Sequence, residues 1–241
     1  MLIECKEDDM LTAAATARNI LPEMKDRSAG IVVKGSRFAP SNFIGLMGIT
    51  MHFERGAEIV AEEDPAEYVY QVISGTVRTC KLLSNGRRQI GAFLMEGDYF
   101  GMEARAVHCF AAEAITDATI HMINRNTAFA AAGRDPEIAR ALWDITARSL
   151  DACQQHSLLL GRKTALEKIG SFLTEMAERQ GSHAEIDLPM SRQDIADYLG
   201  LTIETVSRTM TQLECAGTIA LPTSRHVLVK RRQELARLSA C

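Results

Sequence analysis

Between residues 48 and 124 the chain alternates short apolar stretches with Gly, Asn and Asp at close intervals. Residues 69–78 divide into two apolar segments around Ser74-Gly75, which predicts two strands joined by a tight turn. Asn85-Gly86 stands between two further apolar segments and predicts a two-residue hairpin. Many short strands at this spacing are typical of an antiparallel sandwich or roll. We therefore assign residues 46–134 to a domain of this kind.

The pattern changes at Asp135-Pro136, because a proline is tolerated in the first turn of a helix and a helical period follows. Inward positions recur at alternating three- and four-residue steps, which is the spacing of a coiled-coil seam. The seam consists of Ile138, Leu142, Ile145, Ser149, Ala152, His156 and Leu159. It favours pairing with a second copy of the chain, although a helix lying on the roll would explain part of it. We predict a dimerisation helix over residues 135–160, ended by Gly161.

Residues 161–241 predict a third domain, in which a helix over residues 162–180 is followed by two short helices joined at Gly200. Ser191 and Asp194 fit a capping box at the start of the first short helix, and Thr202 is placed to cap the second. Two strands then surround a turn at residues 222–226. Helix, turn, helix and hairpin in this order indicate a winged helix-turn-helix, the architecture of many DNA-binding domains.

The second short helix carries Glu204, Ser207 and Arg208 on one face, at i, i+3 and i+4. Such a face suits a helix whose N-terminal end enters the DNA major groove. Arg208 can donate two hydrogen bonds to guanine, and Glu204 can accept one from cytosine. Ser207 and Ile203 can contact the edges and methyl groups of thymine. These four residues are the predicted base contacts.

A second set of residues is predicted to position the domain on DNA phosphates without reading the sequence. Its members are Ser191, Arg192, Thr202, Thr205, Arg225 and His226. The alternative is a helix pair with a hairpin that binds no nucleic acid and leaves these side chains as idle surface.

Charge is distributed unevenly along the chain. The 241 residues have a net charge of -4, yet residues 191–241 carry seven basic and five acidic side chains. This asymmetry is consistent with a nucleic-acid module attached to an acidic body. The six cysteines are dispersed, and the sequence has neither a signal-peptide pattern nor a membrane-spanning stretch. We expect a cytoplasmic protein with reduced thiols. Residues 1–45 predict no element beyond a short helix near residues 13–17.

These motifs resemble the cyclic-AMP receptor protein/fumarate-nitrate regulator (CRP/FNR) superfamily, and within it the FixK type. The likeness is carried by Gly-Leu-Thr-Ile-Glu-Thr-Val-Ser-Arg at 200–208, by residues 161–173, and upstream by residues 63–78 and 97–101. In receptors of the cyclic-AMP kind an arginine precedes the Glu-x-x-x-Arg element, where this chain has Ile203. The resemblance implies an α+β fold. Its parts would be an antiparallel β-roll (a jelly roll like that of cyclic-nucleotide-binding domains), a long dimerisation helix and a C-terminal winged helix-turn-helix.

The resemblance also implies a function. Regulators of this type act as homodimers on double-stranded DNA, at palindromes of the form TTGA-N6-TCAA whose half-sites lie about one helical turn (~34 Å) apart. They recruit RNA polymerase and activate genes for microaerobic respiration and nitrogen fixation. The loop that touches polymerase in this branch corresponds to residues 83–89. Relatives often carry acids there, whereas this chain has Arg87 and Arg88.

No cyclic nucleotide is expected to bind the roll. Receptors for these nucleotides hold the phosphate with an Arg-Ser or Arg-Thr pair, and this chain has His108-Cys109-Phe110 in that place, although it keeps Gly101 and Glu103. Loss of the arginine removes the strongest bidentate partner of a phosphodiester. A four-thiolate iron–sulfur cluster has no ligand set either, because only Cys5 lies near the N-terminus.

The expectation is therefore a regulator with no cofactor, no metal and no catalytic residues. A haem held by His108 or Cys109, and a redox thiol at Cys109 or Cys215, are the alternatives that would make the regulator effector-gated. An enzyme with a metal ion in the roll would need several histidines or carboxylates that converge on its interior. The six histidines show no such spacing.

Overall fold

The computed structural model describes residues 48–239, apart from the side chain of Arg162. The expectations for residues 1–45, including Cys5 and the helix near residues 13–17, lie outside this range. The strands are β1 Ile49–Phe53, β2 Glu58–Val60, β3 Tyr68–Ser74, β4 Val77–Leu82, β5 Arg88–Leu94, β6 Tyr99–Phe100, β7 Ala111–Ala114, β8 Ala118–Asn124, β9 Glu185–Asp187, β10 Ile219–Thr223 and β11 His226–Val229. The helices are α1 Arg125–Ala132, α2 Pro136–Arg162, α3 Ala165–Arg179, α4 Arg192–Leu199, α5 Ile203–Cys215 and α6 Arg232–Ser239.

Strands β1 to β8 form a roll of two four-stranded antiparallel sheets, in the orders β1-β8-β3-β6 and β2-β7-β4-β5. Apolar side chains from both sheets fill the space between them, and Val72, Val77 and Ile120 are fully buried there. The turn at Gly75 requires glycine, because φ is +86° and a Cβ atom would lie 2.3 Å from the carbonyl oxygen of Asp117. The predicted β-roll is confirmed.

The hairpin between β4 and β5 differs from its prediction in one detail. The Leu83 carbonyl accepts a hydrogen bond from the Gly86 N–H (2.9 Å), and the Leu83 N–H donates to the Arg87 carbonyl (2.8 Å). With Gly86 at φ +77°, this is a three-residue connection rather than the expected two-residue loop. A tight turn followed by a left-handed glycine is the second common way to close a hairpin, and Asn-Gly suits both.

Helix α2 begins where the sequence predicts. The Asp135 carboxylate accepts a hydrogen bond from the Glu137 N–H (2.8 Å), and Pro136 is the first helical residue. The prediction that Gly161 ends this helix is wrong, because α2 continues to Arg162. The helix ends where Lys163 becomes extended (φ −89°, ψ 143°) and Thr164 caps α3 through a capping box with Glu167. An isolated glycine in a helix costs only about 1 kcal/mol relative to alanine, so Gly161 does not stop the helix.

The predicted seam of α2 lies largely against its own protomer. Ile138 and Ile145 are buried with Val69 and Ile123 of the roll, and Leu142 is half-buried beside them. At the other end Leu159 belongs to the core of the C-terminal domain. For these positions the dimer prediction needs correction, because the protomer itself already covers their side chains.

The middle and the far side of α2 are exposed. Ser149 and Ala152 are exposed, and the Ser149 hydroxyl donates to the Ile145 carbonyl (3.0 Å) within the helix. Three large apolar side chains also face outward, with exposed fractions of 73% for Trp143 and 59% for both Leu150 and Leu158. The helix thus has an apolar face that no described residue of the same protomer covers.

The C-terminal domain shares its core with one sheet of the roll, because Cys80, Ile90 and Phe93 belong to the same buried cluster. The buried side of α3 includes Ile169, Phe172, Leu173 and Met176. Helix α6 packs closely on α3, since a Cβ atom at Gly170 would lie 2.6 Å from Leu238 Cβ. The wing is a three-stranded antiparallel sheet in the order β10-β11-β9. Strand β9 was not predicted, because three residues are too few to show an alternating pattern.

Candidate nucleic-acid interface

Helices α4 and α5 are fixed relative to each other by caps and by a shared apolar face. The Ser191 hydroxyl accepts from the Asp194 N–H (3.1 Å) and donates to the Asp194 carboxylate (2.7 Å), which confirms the predicted capping box. Gly200 takes the left-handed conformation (φ 62°) that ends α4 and starts the turn. Thr202 then caps α5 by accepting from the Thr205 N–H (3.3 Å).

The buried faces of the two helices leave the opposite face of α5 in solvent. Val206, Thr209 and Met210 are buried in the core, whereas Ser207 and Arg208 between them are exposed. All four predicted base contacts, Ile203, Glu204, Ser207 and Arg208, are exposed. Hydrogen bonds from its own backbone N–H and from the Thr202 hydroxyl lower the pKa of Glu204, so its carboxylate is charged at neutral pH.

Arg192 lies at the base of a groove between α5 and the wing. The groove has a volume of about 310 Å³, and its walls include Ser207, Thr211, Thr223 and Ser224. The Nη1 atom of Arg192 is buried and has no hydrogen-bond partner among the residues that the structure describes. Burial lowers the pKa of Arg192, but an arginine side chain stays charged. Arg192 as a whole is half-buried, and a cation in a groove lined by hydroxyl groups can bind an anion such as a phosphate.

The other predicted phosphate contacts differ in whether their side chains already have partners within the protein. Arg225 is exposed at the tip of the wing, and Thr202 and Thr205 lie at the start of α5. The Ser191 hydroxyl is already used by its cap. His226 is turned to β9, where Nδ1 lies 2.8 Å from the Asp187 carboxylate. A phosphate would therefore compete with the Asp187 carboxylate for His226, and no local pattern of the sequence predicts this pair.

Sequence reasoning missed three hydroxyl side chains in this surface. Thr211, Thr223 and Ser224 line the groove beside Arg192. Thr211 lies one turn after Ser207 on α5, so helical periodicity alone could have identified it. Thr223 and Ser224 depend on the wing folding back to α5, which no local pattern of the sequence specifies.

In the roll, the residues at the expected nucleotide position contact one another. His108 is buried with Nδ1 3.2 Å from the Glu103 carboxylate, and its ring lies 5.9 Å from that of Tyr70. Burial, followed by the charge of Glu103, raises the pKa of Tyr70 to about 12, so this phenol is neutral. Arg125 donates to the carbonyl oxygens of Ala66 (2.9 Å) and Glu103 (2.6 Å).

This arrangement leaves Glu103 paired and holds the surrounding loop in place from inside the protomer. Cys109 is half-buried and Cys215 is exposed at the end of α5. Across residues 48–239, no three His, Cys, Asp or Glu side chains are grouped so that they could hold a metal ion.

The roll, the long helix and the winged helix-turn-helix together define a DNA-binding transcription regulator built on a cyclic-nucleotide-binding type of roll. The chain matches the family described as Crp-like helix-turn-helix domain over residues 167–238, and the cyclic nucleotide-binding domain over residues 50–134. It belongs to the CRP/FNR superfamily of transcription regulators, and within it to the FixK type.

The FixK assignment follows from the relatives of the chain. It is 50% identical to the nitrogen fixation regulation protein FixK of Azorhizobium caulinodans, over 83% of each chain. It is 43% identical to the protein of the same name from Rhizobium meliloti, over 77% of this chain and 85% of the relative. The solved structure of FixK2 from Bradyrhizobium japonicum is similar, with a TM-score of 0.78 and 47% identity over 81% of this chain and 99% of that one.

The fold class predicted from the sequence is thereby confirmed. In the part of the chain that the structure describes, no helix has the length and apolar character needed to cross a membrane.

Proposed function

We propose that the protein is a homodimeric transcription activator that binds TTGA-N6-TCAA palindromes without a small-molecule effector. The observation that carries this proposal is the exposed face of α5, where Glu204, Ser207 and Arg208 lie together on a helix that caps and core packing hold in place. Three relatives bear the names of nitrogen fixation regulators. We therefore propose control of nitrogen-fixation and microaerobic respiration genes in the cytoplasm.

Each half-site would be read by one copy of α5. Arg208 donates to O6 and N7 of the guanine in TTGA, and Glu204 accepts from the amino group of the paired cytosine. Ser207 and Ile203 contact the thymines. Arg192, Thr202, Thr205 and Arg225 would bind phosphates and set the register of the helix.

The dimer would form along the exposed face of α2. Trp143 and Leu150 are seven residues apart and Leu158 follows two turns later, so all three lie along one side of the helix. This face replaces most of the seam expected from the sequence. Two parallel copies of α2 would place the two reading helices on inverted half-sites about one helical turn (~34 Å) apart.

Contact with RNA polymerase would use the tip of the β4–β5 hairpin. Leu82 and Leu83 are exposed there, at 68% and 39%, and Arg87 is exposed beside them. Arg88 is excluded from this role because carboxylates of α4 hold its guanidinium.

Independence from an effector is supported by the contacts inside the roll. The Glu103 carboxylate is hydrogen-bonded to His108, and the nearby Arg125 guanidinium already donates to the backbone carbonyls of Ala66 and Glu103, so these bonds would compete with a phosphodiester. The second candidate is an effector-gated regulator of the same fold that uses haem, a redox thiol or a small molecule. An absorption spectrum detects haem, and a thermal shift detects a bound cyclic nucleotide through a higher melting temperature. DNA binding with and without a thiol reductant tests the redox thiol.

The direct test is a gel shift with purified protein and no added ligand, on a duplex that carries TTGA and its inverted copy. We expect a single retarded complex that disappears when both half-sites are scrambled. Equal retardation of intact and scrambled duplexes would contradict sequence-specific binding, and retardation only after a ligand is added would contradict effector independence.

A further inference from the structure

We propose that the β4–β5 hairpin of the roll acts as a clamp that positions the DNA-binding domain, so that Arg78 and Arg88 are positioning residues for DNA binding. The clamp would do in this chain what a bound effector does in a ligand-gated regulator. Its consequence for DNA affinity rests on the function proposed above.

The centre of the clamp is Asp194 of α4. Its Oδ1 atom accepts from Arg78 Nη1 (2.7 Å) and from Arg88 Nη2 (2.6 Å), and only 6% of its side chain is exposed. Arg88 also donates through Nε to Asp197 (2.9 Å). Two guanidinium groups of the roll therefore share two carboxylates on one helix of the DNA-binding domain. Such charge-assisted hydrogen bonds are about twice as strong as neutral ones.

Neighbouring groups hold the clamp in its geometry. Arg78 donates through Nε to Glu113 of the adjacent strand (2.8 Å), which orients its guanidinium toward α4. The Gln89 amide donates to the Asp197 carbonyl at the end of α4 (2.8 Å). The hairpin thus contacts both side chains and backbone of this helix.

A second set of hydrogen bonds crosses the same junction, and here the donor belongs to the DNA-binding domain and the acceptors to the roll. Arg179 of α3 donates to the Phe93 carbonyl (2.7 Å) and pairs with Asp98, both in the roll. Between the two sets, the Phe93 ring packs against Phe172 and Tyr198, with centroids 6.2 and 5.0 Å away. An apolar contact resists separation of the two domains, while charged pairs on either side of it restrict sliding and rotation.

The docked orientation leaves the DNA-reading surface open. The roll contacts Asp194, Asp197 and Tyr198 of α4, whereas Arg208 and the other base contacts lie exposed on α5. If DNA binds only the docked state, the apparent dissociation constant is the intrinsic one divided by the docked fraction. A lower docked fraction then weakens binding to every sequence equally.

The test is the Arg88→Glu variant of the full chain, with fluorescence anisotropy on the TTGA-N6-TCAA duplex. We expect affinity to fall about tenfold, as it would if the docked fraction fell to about one tenth, with unchanged discrimination between intact and altered half-sites. Arg87→Glu is the matched control, because it makes the same charge change in the same hairpin at an exposed position. Arg88→Lys keeps the charge without the fork of donors and should lose less affinity than Arg88→Glu.

A double-mutant cycle with Asp197→Arg tests the contact itself. The loss caused by Arg88→Glu should be at least about threefold smaller in the Asp197→Arg background, since the reversed pair can form. Equal losses in the two backgrounds, or equal effects of Arg87→Glu and Arg88→Glu, would overturn the proposal.

Hydrogen exchange of the free protein tests the clamp without DNA, so its outcome does not depend on the proposed DNA target. Arg88→Glu should speed amide exchange in α4 and β5, whereas Arg87→Glu should not. If the wild type does not bind the TTGA duplex, the proposed DNA target is wrong. The exchange rates of the two variants still test the clamp in that case. Unchanged exchange in Arg88→Glu would reject the clamp even if the wild type binds the duplex.

Discussion

At the scale of single residues, the proposed reading of guanine depends on Arg208. It is exposed one turn after Glu204, and it forms no ion pair with any residue in the described range. Its guanidinium is therefore available to guanine without first breaking a bond within the protein. Glu204 lies in the first turn of α5, where its exposed carboxylate is charged at neutral pH.

Arg208→Ala should remove most of the discrimination at the guanine of each half-site. We expect a loss of ~1–3 kcal/mol on the intact site and a much smaller loss where that guanine is already replaced. Titration of both duplexes at fixed salt measures the difference. Arg225→Ala is the control, because a wing-tip phosphate contact should weaken both duplexes alike. Preserved selectivity in Arg208→Ala would mean that another side chain reads the guanine.

The shared exposed face of Glu204, Ser207 and Arg208 could be predicted from the sequence because it follows from one helical period. The sequence could not place Arg88 or His226, whose partners are 109 and 39 residues away in the chain. Each had been interpreted from its residue type alone. Arg88 was placed in the loop that corresponds to the polymerase contact, and His226 was assigned to a DNA phosphate. Their partners, Asp197 and Asp187, depend on how separate elements pack, which no local pattern specifies.

At the scale of elements, the first residues of helices were predictable and their faces less so. Ser191, Thr202 and Asp135 cap helices as their types indicate, because a cap is a local hydrogen bond. The partner of the inward face of α2 could not be predicted from the sequence. A seam with a coiled-coil period is compatible with a second helix or with the protomer's own roll, and only packing decides between them.

The exposed apolar face of α2 leads to a prediction about the oligomeric state of the protein. Leu150→Glu should place a charge in the middle of the dimer contact and give a monomer of 26.5 kDa. Affinity for the palindrome should fall by at least about a hundredfold, because the two half-sites are no longer bound together. Size-exclusion chromatography with light scattering gives the mass. Leu82→Glu, at a similarly exposed leucine of the hairpin, should remain a dimer. A dimeric Leu150→Glu would place the interface elsewhere.

At the scale of the whole molecule, one junction joins the roll, the long helix and the DNA-binding domain. The His156 ring of α2 stacks on Tyr198 at 4.1 Å between centroids, and its Nε2 lies 2.9 Å from the Tyr198 carbonyl. Tyr198 in turn contacts Phe93 of the roll. Movement of the roll, of α2 or of the DNA-binding domain therefore disturbs contacts with the other two.

This junction predicts a dependence on pH. Burial lowers the pKa of His156 below its usual 6.5, in spite of the hydrogen bonds to Tyr198 and Gly91. The neutral ring is favoured in the folded state, so stability is fully present above pH 6.5 and is lost as pH falls below it. Melting temperatures from pH 7.5 to 5.5 should fall more steeply for the wild type than for His156→Gln. Glu175 has a pKa raised by burial and acts in the opposite sense, and it is common to both proteins. Parallel curves would show that His156 does not contribute.

Asp194 serves two purposes with its two oxygen atoms. One oxygen closes the first turn of α4 by accepting from Ser191, and the other receives the arginines of the roll. Asp194, in the first turn of the helix-turn-helix, is thus also one of its attachments to the roll. Exchange of this module between regulators would transfer the reading helix but not its anchorage, unless the arginines of the receiving hairpin match the acids of the incoming helix.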